Sequence, residues 1–399
     1  MKKIKIPLLA RILVAILLGI CCGQFLPGGL ARVFVTFNSL FGNFLGFCIP
    51  LIIVGLVVPS ISELGKGAGK LLALTVLLAY GSTLFSGFFT YFSCEAVFGW
   101  SLSTAEDFEA IGNPGDFMLA PYFVVAMPPL MDVMTALLLA FTIGLGLAYI
   151  PGSALRQVCV DGRDVVVKLI EHVIIPLLPL HIFGIFLNMS VSGQALVVIQ
   201  AFLGVICVLA VLHVVLLLMQ FGAAGLVCKR NPLKLLRNMM PAYFTALGTQ
   251  SSAATIPVTL EQTVKNGVSR EIATFTIPLC ATIHLSGSTM KIVACSMALV
   301  ILTGGQLDFV SYAGFICMLG ITMVAAPGVP GGAIMASLGL LKDMLGFDET
   351  LQALMIAIYV AIDSFGTACN VTGDGAIALV VDRISGKKAG VESASDINN

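Results

Sequence analysis

Charged side chains are scarce in this 399-residue sequence: they make up 11% of it, against about 25% in a typical soluble domain. Hydrophobic residues make up 58%. A water-soluble fold cannot bury that much apolar surface, so lipid must solvate much of it. The composition therefore predicts an all-α polytopic membrane protein.

Other absences narrow the functional classes. The formal net charge is zero, so no basic excess is present to attract a nucleic acid. The 11 cysteines occur singly apart from Cys21-Cys22, with no CxxC pair and no Cys/His cluster of zinc spacing. Neither a nucleophile elbow nor a cofactor-binding glycine loop is found. These absences argue against a nucleic-acid partner, a zinc site and an enzyme.

Long apolar runs follow one another along most of the chain, and a spanning helix needs about 20 such residues. Eight runs are long enough: 7–26, 36–60, 70–98, 121–150, 164–189, 195–228, 269–303 and 349–381. Two further stretches, 238–262 and 310–346, are interrupted, and their arms are too short to cross alone. We expect these two stretches to form re-entrant helical hairpins.

The distribution of basic residues tests this arrangement through the positive-inside rule. With a cytoplasmic N-terminus and both interrupted stretches returning to the side they enter, 18 of the 21 Lys and Arg are cytoplasmic. The exceptions are Arg32, Lys342 and Lys291, the last of which lies inside a span. If either stretch crossed, every later loop would change sides. The count therefore favours eight spans, two hairpins from opposite faces and cytoplasmic termini.

The two interruptions predict a binding site. Non-helical backbone at membrane depth survives only when it is buried in protein or lines a wet cavity. Hairpins from opposite faces therefore suggest a site at mid-membrane, as in secondary transporters with broken helices and inverted repeats. The first interruption offers Gln250, Ser251 and Ser252, which suit a carboxylate, although an ordinary polar turn is the alternative. The second, rich in Pro and Gly at 327–332, suits either a gate or a structural turn.

The final apolar run carries two carboxylates. Asp363, Thr367, Asn370 and Asp374 recur at steps of four, three and four residues, which places them on one helical face. An ionised carboxylate in hydrocarbon is costly unless it faces water, a cation or a polar ligand. The pattern predicts a polar lumen lined by this helix; the alternative is a solvated carboxylate near each helix end.

The seventh run is also polar at its centre. Gly287 among polar residues predicts local unwinding, which would expose carbonyl groups to a cation. Lys291 is the one basic residue deep in a span, and it can pair with Asp363 or Asp374 or influence cation coupling. For His284 we consider a ligand, a proton carrier and an ordinary core histidine.

Together these features resemble the dicarboxylate/amino acid:cation symporter family, which includes glutamate transporters and serine/threonine symporters. The likeness covers the whole chain by topology and about 240–384 by motif. Its motifs are Asp363 followed by Asn370-Val371-Thr372-Gly373-Asp374, the Ser-rich interruption through Pro257-Val258-Thr259, and Gly328-Val329-Pro330-Gly331, in the family's order.

The resemblance implies an elevator-type homotrimer embedded in lipid, in the plasma membrane of a bacterium (its inner membrane). The implied divisions are scaffold helices 1 and 2 at 1–68, transport helix 3 at 69–98, an external loop with scaffold helices 4 and 5 at 99–190, the transport domain at 191–384, and a cytoplasmic tail at 385–399.

The resemblance also implies roles for individual residues. It assigns Asp363 to the substrate's amino group, and Asn370 with Ser252 to its α-carboxylate. The other implied substrate contacts are Gln250, Ser251, Gly328, Val329, Pro330, Gly366 and Thr367. Sodium is the implied co-transported ion. Asp374 and backbone near Asn370 hold one ion, carbonyls near Thr282, Leu285 and the second hairpin hold another, and Tyr80 and Thr83 match part of a third site.

Departures from the family pattern favour a neutral substrate. Members that carry acidic substrates have an arginine where this chain has Gly366, and some bacterial members have one where it has Gln250. Without a guanidinium, a second carboxylate would be buried unpaired. We therefore expect sodium-coupled import of a small neutral amino acid such as serine, threonine or alanine. The alternatives are a C4-dicarboxylate or acidic amino acid, for which only Lys291 could supply a cation, and a channel-like anion conductance.

A second departure concerns coupling. The family motif Asn-Met-Asp-Gly-Thr reads here His284-Leu285-Ser286-Gly287-Ser288, so Ser286 replaces a cation-binding aspartate. Since a carboxylate supplies most of the attraction for sodium in a low-dielectric site, we expect about two or fewer coupled sodium ions. Proton coupling through His284 or Lys291 is the alternative.

Overall fold

A computed structural model describes residues 8–64, 69–101, 119–150, 152–193, 195–324, 326 and 331–395. Every regular element in these residues is helical, as the composition predicts. The helices are α1 Leu8–Gly23, α2 Gly28–Leu64, α3 Gly69–Ser101, α4 Val133–Tyr149, α5 Ala154–Leu169, α6 Ile175–Val191, α7 Ala195–Cys228, α8 Pro232–Thr249, α9 Ser252–Lys265, α10 Arg270–Ile283, α11 Ser286–Leu302, α12 Phe309–Met323, α13 Gly332–Leu345, α14 Glu349–Ala361 and α15 Asp363–Ser395, with a π-helical turn Ile170–Ile174 between α5 and α6.

Several of these helices suit a membrane. Five segments of the described chain are long and apolar enough to cross: Gly28–Pro59, Lys70–Phe98, Ala154–Val191, Val198–Cys228 and Arg270–Leu302. The pair α14 and α15, bent by 62°, is a sixth candidate. Shorter apolar helices lie within α1, α4 and α12. The all-helical membrane class is thereby supported, and the arrangement of eight spans with two re-entrant hairpins stays a prediction.

The fourth predicted span begins later than the apolar run suggests. Helix α4 starts only at Val133, and residues 119–132 form irregular, non-helical chain. Pro128-Pro129 explains this, because proline lacks a backbone donor and keeps the preceding residue out of the helical region. The segment is bound from α2, where Nε of Arg32 donates to the carbonyl of Ala120 at 3.0 Å. The predicted start at residue 121 was wrong.

The described helices pack in two groups. In the first, α1 packs against α6, and α2 packs against α4, α5 and α6. In the second, α15 contacts α3, α7, α8, α9, α10 and α11. Helices α13 and α14 contact members of both groups. The second group holds every helix in which the sequence placed a binding residue.

Helical segments of the second group are interrupted where the sequence predicted. Gln250 ends α8 in the left-handed conformation with φ 55°, which is uncommon for a residue other than glycine, and α8 packs against α9. Outside this group, α12 packs against α13, the helices before and after the second predicted interruption. The seventh run is unwound at His284 and Leu285, between α10 and α11, whereas Gly287, where the unwinding was predicted, lies in the first turn of α11. Gly328, Val329 and Pro330 lie outside the described residues.

Candidate functional site

The interruptions surround a small cavity of about 30 Å³. Its wall includes five residues predicted to contact substrate: Gln250, Ser252, Asp363, Thr367 and Asn370. Tyr359 of α14 also lines it. A cavity of this size has room for about two water molecules, so it must widen before it admits an amino acid.

Asp363 is held on both of its carboxylate oxygens by the protein. Oδ1 accepts a hydrogen bond from Nζ of Lys291 at 2.8 Å, and Oδ2 accepts one from the backbone N–H of Gly331 at 2.8 Å. Gly331 caps the start of α13 with φ 76°, a conformation that favours glycine. Asp363 therefore joins α11, α13 and its own helix α15.

The pair that Asp363 forms with Lys291 is deeply buried. The two residues are only 4% and 2% exposed. Nζ of Lys291 also lies 3.7 Å from the centroid of the Tyr359 ring, a cation–π contact. The sequence left open whether Lys291 pairs with Asp363 or Asp374, and the structure pairs it with Asp363. Removing one partner of a buried pair strands the other charge, which is costly.

Lys291 occupies the space that a side chain at position 366 would need. A Cβ atom built on Gly366 would overlap Cε and Nζ of Lys291. Position 366 of α15 therefore carries no arginine, and the ammonium of Lys291, which extends from α11, lies in that space. Gly366 itself is buried and is not among the residues that line the cavity.

Asn370 is engaged with the start of α11. Its Oδ1 accepts from the backbone N–H groups of Gly287 at 2.8 Å and Ser288 at 3.3 Å, and its Nδ2 donates to Oγ of Ser288 at 3.1 Å. These bonds satisfy amide groups that the helix itself leaves without partners. Asn370 therefore fixes the break before α11, and a role in holding a substrate carboxylate stays a prediction.

A second buried cluster lies beside this one. Nδ1 of His284 is 2.9 Å from Oδ1 of Asp374, and Nε2 is 3.0 Å from Oγ of Ser82. Nε2 of Gln220 donates to Oγ of Ser286 at 3.0 Å and to Oγ of Ser82 at 3.2 Å. The cluster joins α3, α7, α11 and α15 around residues to which the resemblance gives cation roles.

Oxygen atoms remain available in this cluster. Oδ2 of Asp374 and Oε1 of Gln220 are buried and have no hydrogen-bond partner among the described residues. Hard cations are bound by oxygen ligands of this kind, so the residues fit a role in holding sodium. The histidine, in contrast, supplies nitrogen where the family motif has an asparagine oxygen.

The other predicted sodium ligands lie apart from that cluster or are bound locally. The hydroxyl of Tyr80 donates to the carbonyl of Cys317 on α12 at 3.3 Å. The hydroxyls of Thr83 and Thr282 donate within their own helices, at 2.9 Å and 2.8 Å. Leu285 caps α11 and lines the cavity. Among the described residues Tyr80 and Ser286 share no hydrogen bond, and the cation roles of these residues stay predictions.

The sequence matches the sodium:dicarboxylate symporter family over residues 8–384. The chain belongs to this family. It is 26% identical over 397 residues to the serine/threonine transporter SstT of Acinetobacter baumannii, covering 95% of this chain and 97% of that protein. It is 24% identical over 396 residues to SstT of Acinetobacter baylyi, covering 96% and 98%. The family predicted from the motifs is thus confirmed.

Membership establishes the broad activity. The family and these relatives support a multi-pass membrane symporter that couples amino acids or dicarboxylates to sodium, and they point to a transporter rather than an enzyme. The geometry adds two contacts of this chain: the ammonium of Lys291 pairs with Asp363, and the ring of His284 contacts the carboxylate of Asp374.

Sequence reasoning missed three residues of the two clusters. Tyr359 lies four positions before Asp363, but it belongs to α14 and the chain bends by 62° before α15, so helical spacing does not account for its place on the cavity wall. Gln220 is an amide inside the apolar run 195–228, and a polar side chain within such a run indicates an internal partner. Ser82 gave no signal, since α3 carries several Ser and Thr residues.

Proposed function

We propose that this symporter imports a small neutral amino acid of the serine, threonine or alanine type together with sodium. The observation that carries the proposal is the ion pair of Lys291 with Asp363, which neutralises the one acidic residue among the described residues that line the cavity. A zwitterion with a neutral side chain adds no net charge to such a site. A further carboxylate would need an unpaired cation. The names of the 24–26% identical relatives agree with this class.

A second candidate is a C4-dicarboxylate or acidic amino acid. It is favoured by the Lys291 ammonium, which lies where a side chain on Gly366 would begin. That ammonium is already bound to Asp363 and covered by the Tyr359 ring, so it is poorly placed to receive a second carboxylate. The neutral amino acid is therefore the better proposal.

The test is uptake of radiolabelled serine into proteoliposomes, with sodium and proton gradients imposed separately. We expect saturable, sodium-driven uptake that threonine and alanine inhibit and that aspartate and succinate do not. Tight inhibition by aspartate or succinate would favour the second candidate. Uptake driven by protons in sodium-free buffer would replace sodium coupling, and conductance independent of solute would indicate a channel.

The two packing groups support an elevator arrangement. We propose that the helices of 1–68 and 99–190 form the scaffold, and that 69–98 with 191–384 moves with the solute. A homotrimer in the bacterial inner membrane, with the tail 385–399 in the cytoplasm, belongs to the same proposal. Cross-linking of the purified protein in membranes tests the trimer, and a monomer or dimer as the largest species would contradict it.

We expect Asp374→Asn to weaken sodium dependence strongly. The substitution keeps an oxygen near His284 but removes the formal charge, which supplies most of the attraction for a cation in a low-dielectric site. The sodium concentration for half-maximal serine uptake should rise at least about tenfold, a loss of roughly 1.4 kcal/mol. Asp308→Asn, at the exposed start of α12, is the matched control. Unchanged sodium dependence in the Asp374 variant would remove Asp374 from the cation site.

A further inference from the structure

Asp363 is bound by an ammonium group that belongs to the protein itself. Nζ of Lys291 donates to Oδ1 at 2.8 Å and lies 3.5 Å from the backbone carbonyl of Asp363. If the proposed function holds, the amino group of the solute seeks this same carboxylate. Two ammonium groups beside one carboxylate repel each other in a low-dielectric site. The solute and Lys291 therefore compete for Asp363.

We propose that Lys291 is a resident substitute for the solute's amino group: it neutralises Asp363 when no solute is bound and yields that carboxylate to the solute. The inference rests on the proposed function and deepens it by naming the residue that sets the affinity for amino solutes. Lys291 is a positioning residue here, because it acts through Asp363 rather than by contacting the solute.

The space around Lys291 allows such an exchange. Gly366 has no side chain, so the end of the lysine fills the room beside α15 that any larger residue would need. The Tyr359 ring lies against the ammonium at 3.7 Å and can keep stabilising it when the hydrogen bond to Asp363 lengthens. Among the described residues, Asp363 is the one acidic group within ion-pair distance of Lys291. The neighbouring His213 lies on α7, where its ring faces Phe365 and Tyr243.

The exchange has a consequence for the transport cycle. A symporter must return its transport helices across the membrane after it releases the solute. An uncompensated carboxylate on Asp363 would make that return costly, because a buried charge without a partner is strongly unfavourable. Lys291 removes this cost, since the pair it forms with Asp363 carries no net charge. Exchange of external for internal solute does not need the empty carrier to return.

The experiment compares binding, exchange and net uptake of serine in Lys291→Met, reconstituted as the full chain. Without the competing ammonium, serine should bind at least about tenfold more tightly, a gain of roughly 1.4 kcal/mol. Serine/serine exchange should persist, while net uptake into serine-free vesicles should fall at least about tenfold. Lys342→Met is the matched control, since Lys342 is exposed on α13 and its removal should change none of the three quantities.

Several outcomes overturn the inference. Lys291→Met with wild-type affinity and wild-type net uptake would mean that Lys291 does not compete with the solute. Loss of binding and exchange together, in a folded protein, would make Lys291 a solute contact instead. If Lys291→Met does not fold, Lys291→Gln keeps a hydrogen-bond donor to Asp363 without the charge. Binding, exchange and net uptake of this variant are then interpreted in the same way.

A further measurement separates this inference from the proposed function. Lys291→Ala leaves Asp363 without its ammonium, so added propylammonium should raise the melting temperature of this variant. Propanol should not, and neither should affect the variant that also carries Asp363→Asn. No shift with propylammonium would overturn the resident-ammonium role whatever the solute is. Absence of any serine uptake by the unaltered protein, with that shift present, would overturn only the proposed function.

Discussion

Replacing Asp363 by asparagine is expected to abolish solute binding. The carboxylate is 4% exposed and lies on the wall of the cavity, where a solute's amino group would exchange a hydrated environment for this single negative charge. Truncating one partner of a buried charge pair between binding partners costs about 2–5 kcal/mol of binding free energy, and the middle of this range is a loss of more than about 100-fold in affinity. Equilibrium binding of labelled serine to the purified wild-type and Asp363→Asn proteins measures this loss of affinity.

The same substitution also strands Lys291, so loss of binding alone does not separate recognition from folding. Asp363→Asn leaves a buried ammonium without its partner and should lower stability by about 3–5 kcal/mol. The matched control is Asp363→Asn combined with Lys291→Met, which removes both charges together. We expect this double variant to regain most of the lost thermal stability and still not bind serine. Wild-type affinity in the double variant would disprove the role of Asp363 in recognition.

The sequence predicted Asp363 as a site residue, but it did not determine that Lys291 is the partner of Asp363. Helical spacing placed Asp363, Thr367 and Asn370 on one face, and the structure puts all three on the cavity wall. Lys291 is 72 residues away from Asp363 along the chain, and both Asp363 and Asp374 were candidate partners. Periodicity within one helix cannot decide which neighbouring helix an intramembrane lysine faces, because that depends on tertiary packing.

Gly366 is a second case in which the sequence does not show the tertiary contact. The sequence shows that no guanidinium is present there, which favoured a neutral substrate and left Lys291 as the only residue that could supply a cation. The structure places a cation in that space after all, on a side chain that starts from α11. An absent side chain leaves room, and the sequence does not say which residue fills the room. The proposal of a neutral substrate therefore rests on the pairing of Lys291 with Asp363 as well as on the absence of a guanidinium.

For the predicted cation-binding residues, too, the sequence identified the residues but not their contacts. Asp374 was identified from its helical face, yet its contact with His284, 90 residues earlier, required the fold. Replacement of a family asparagine by histidine at this position was visible in the motif. Its physical result was not, since a histidine can face either a carboxylate or an apolar core. Tyr80 matched the family by sequence, but its hydroxyl reaches α12 because that helix packs on α3.

Introducing an arginine at position 366 is expected to have opposite consequences in two backgrounds. In Gly366→Arg alone, the new side chain overlaps the end of Lys291 and places a second cation beside Asp363. Like charges in a low-dielectric site repel, so we expect loss of stability and of serine uptake. In Gly366→Arg with Lys291→Ala, the overlapping atoms are gone and the guanidinium can replace the ammonium on Asp363.

The double variant should then accept acidic solutes. A guanidinium has five donors in a planar arrangement, so it can hold Asp363 on one edge and a solute carboxylate on another, which an ammonium covered by Tyr359 cannot do. We expect the ratio of aspartate to serine affinity to rise at least about tenfold, measured by competition against labelled serine, with Lys291→Ala alone as control. An unchanged ratio in the double variant would mean that position 366 does not face the solute. Normal stability and aspartate uptake in Gly366→Arg alone would instead mean that Lys291 leaves that space readily, so that the neutral specificity would have to come from another part of the cavity.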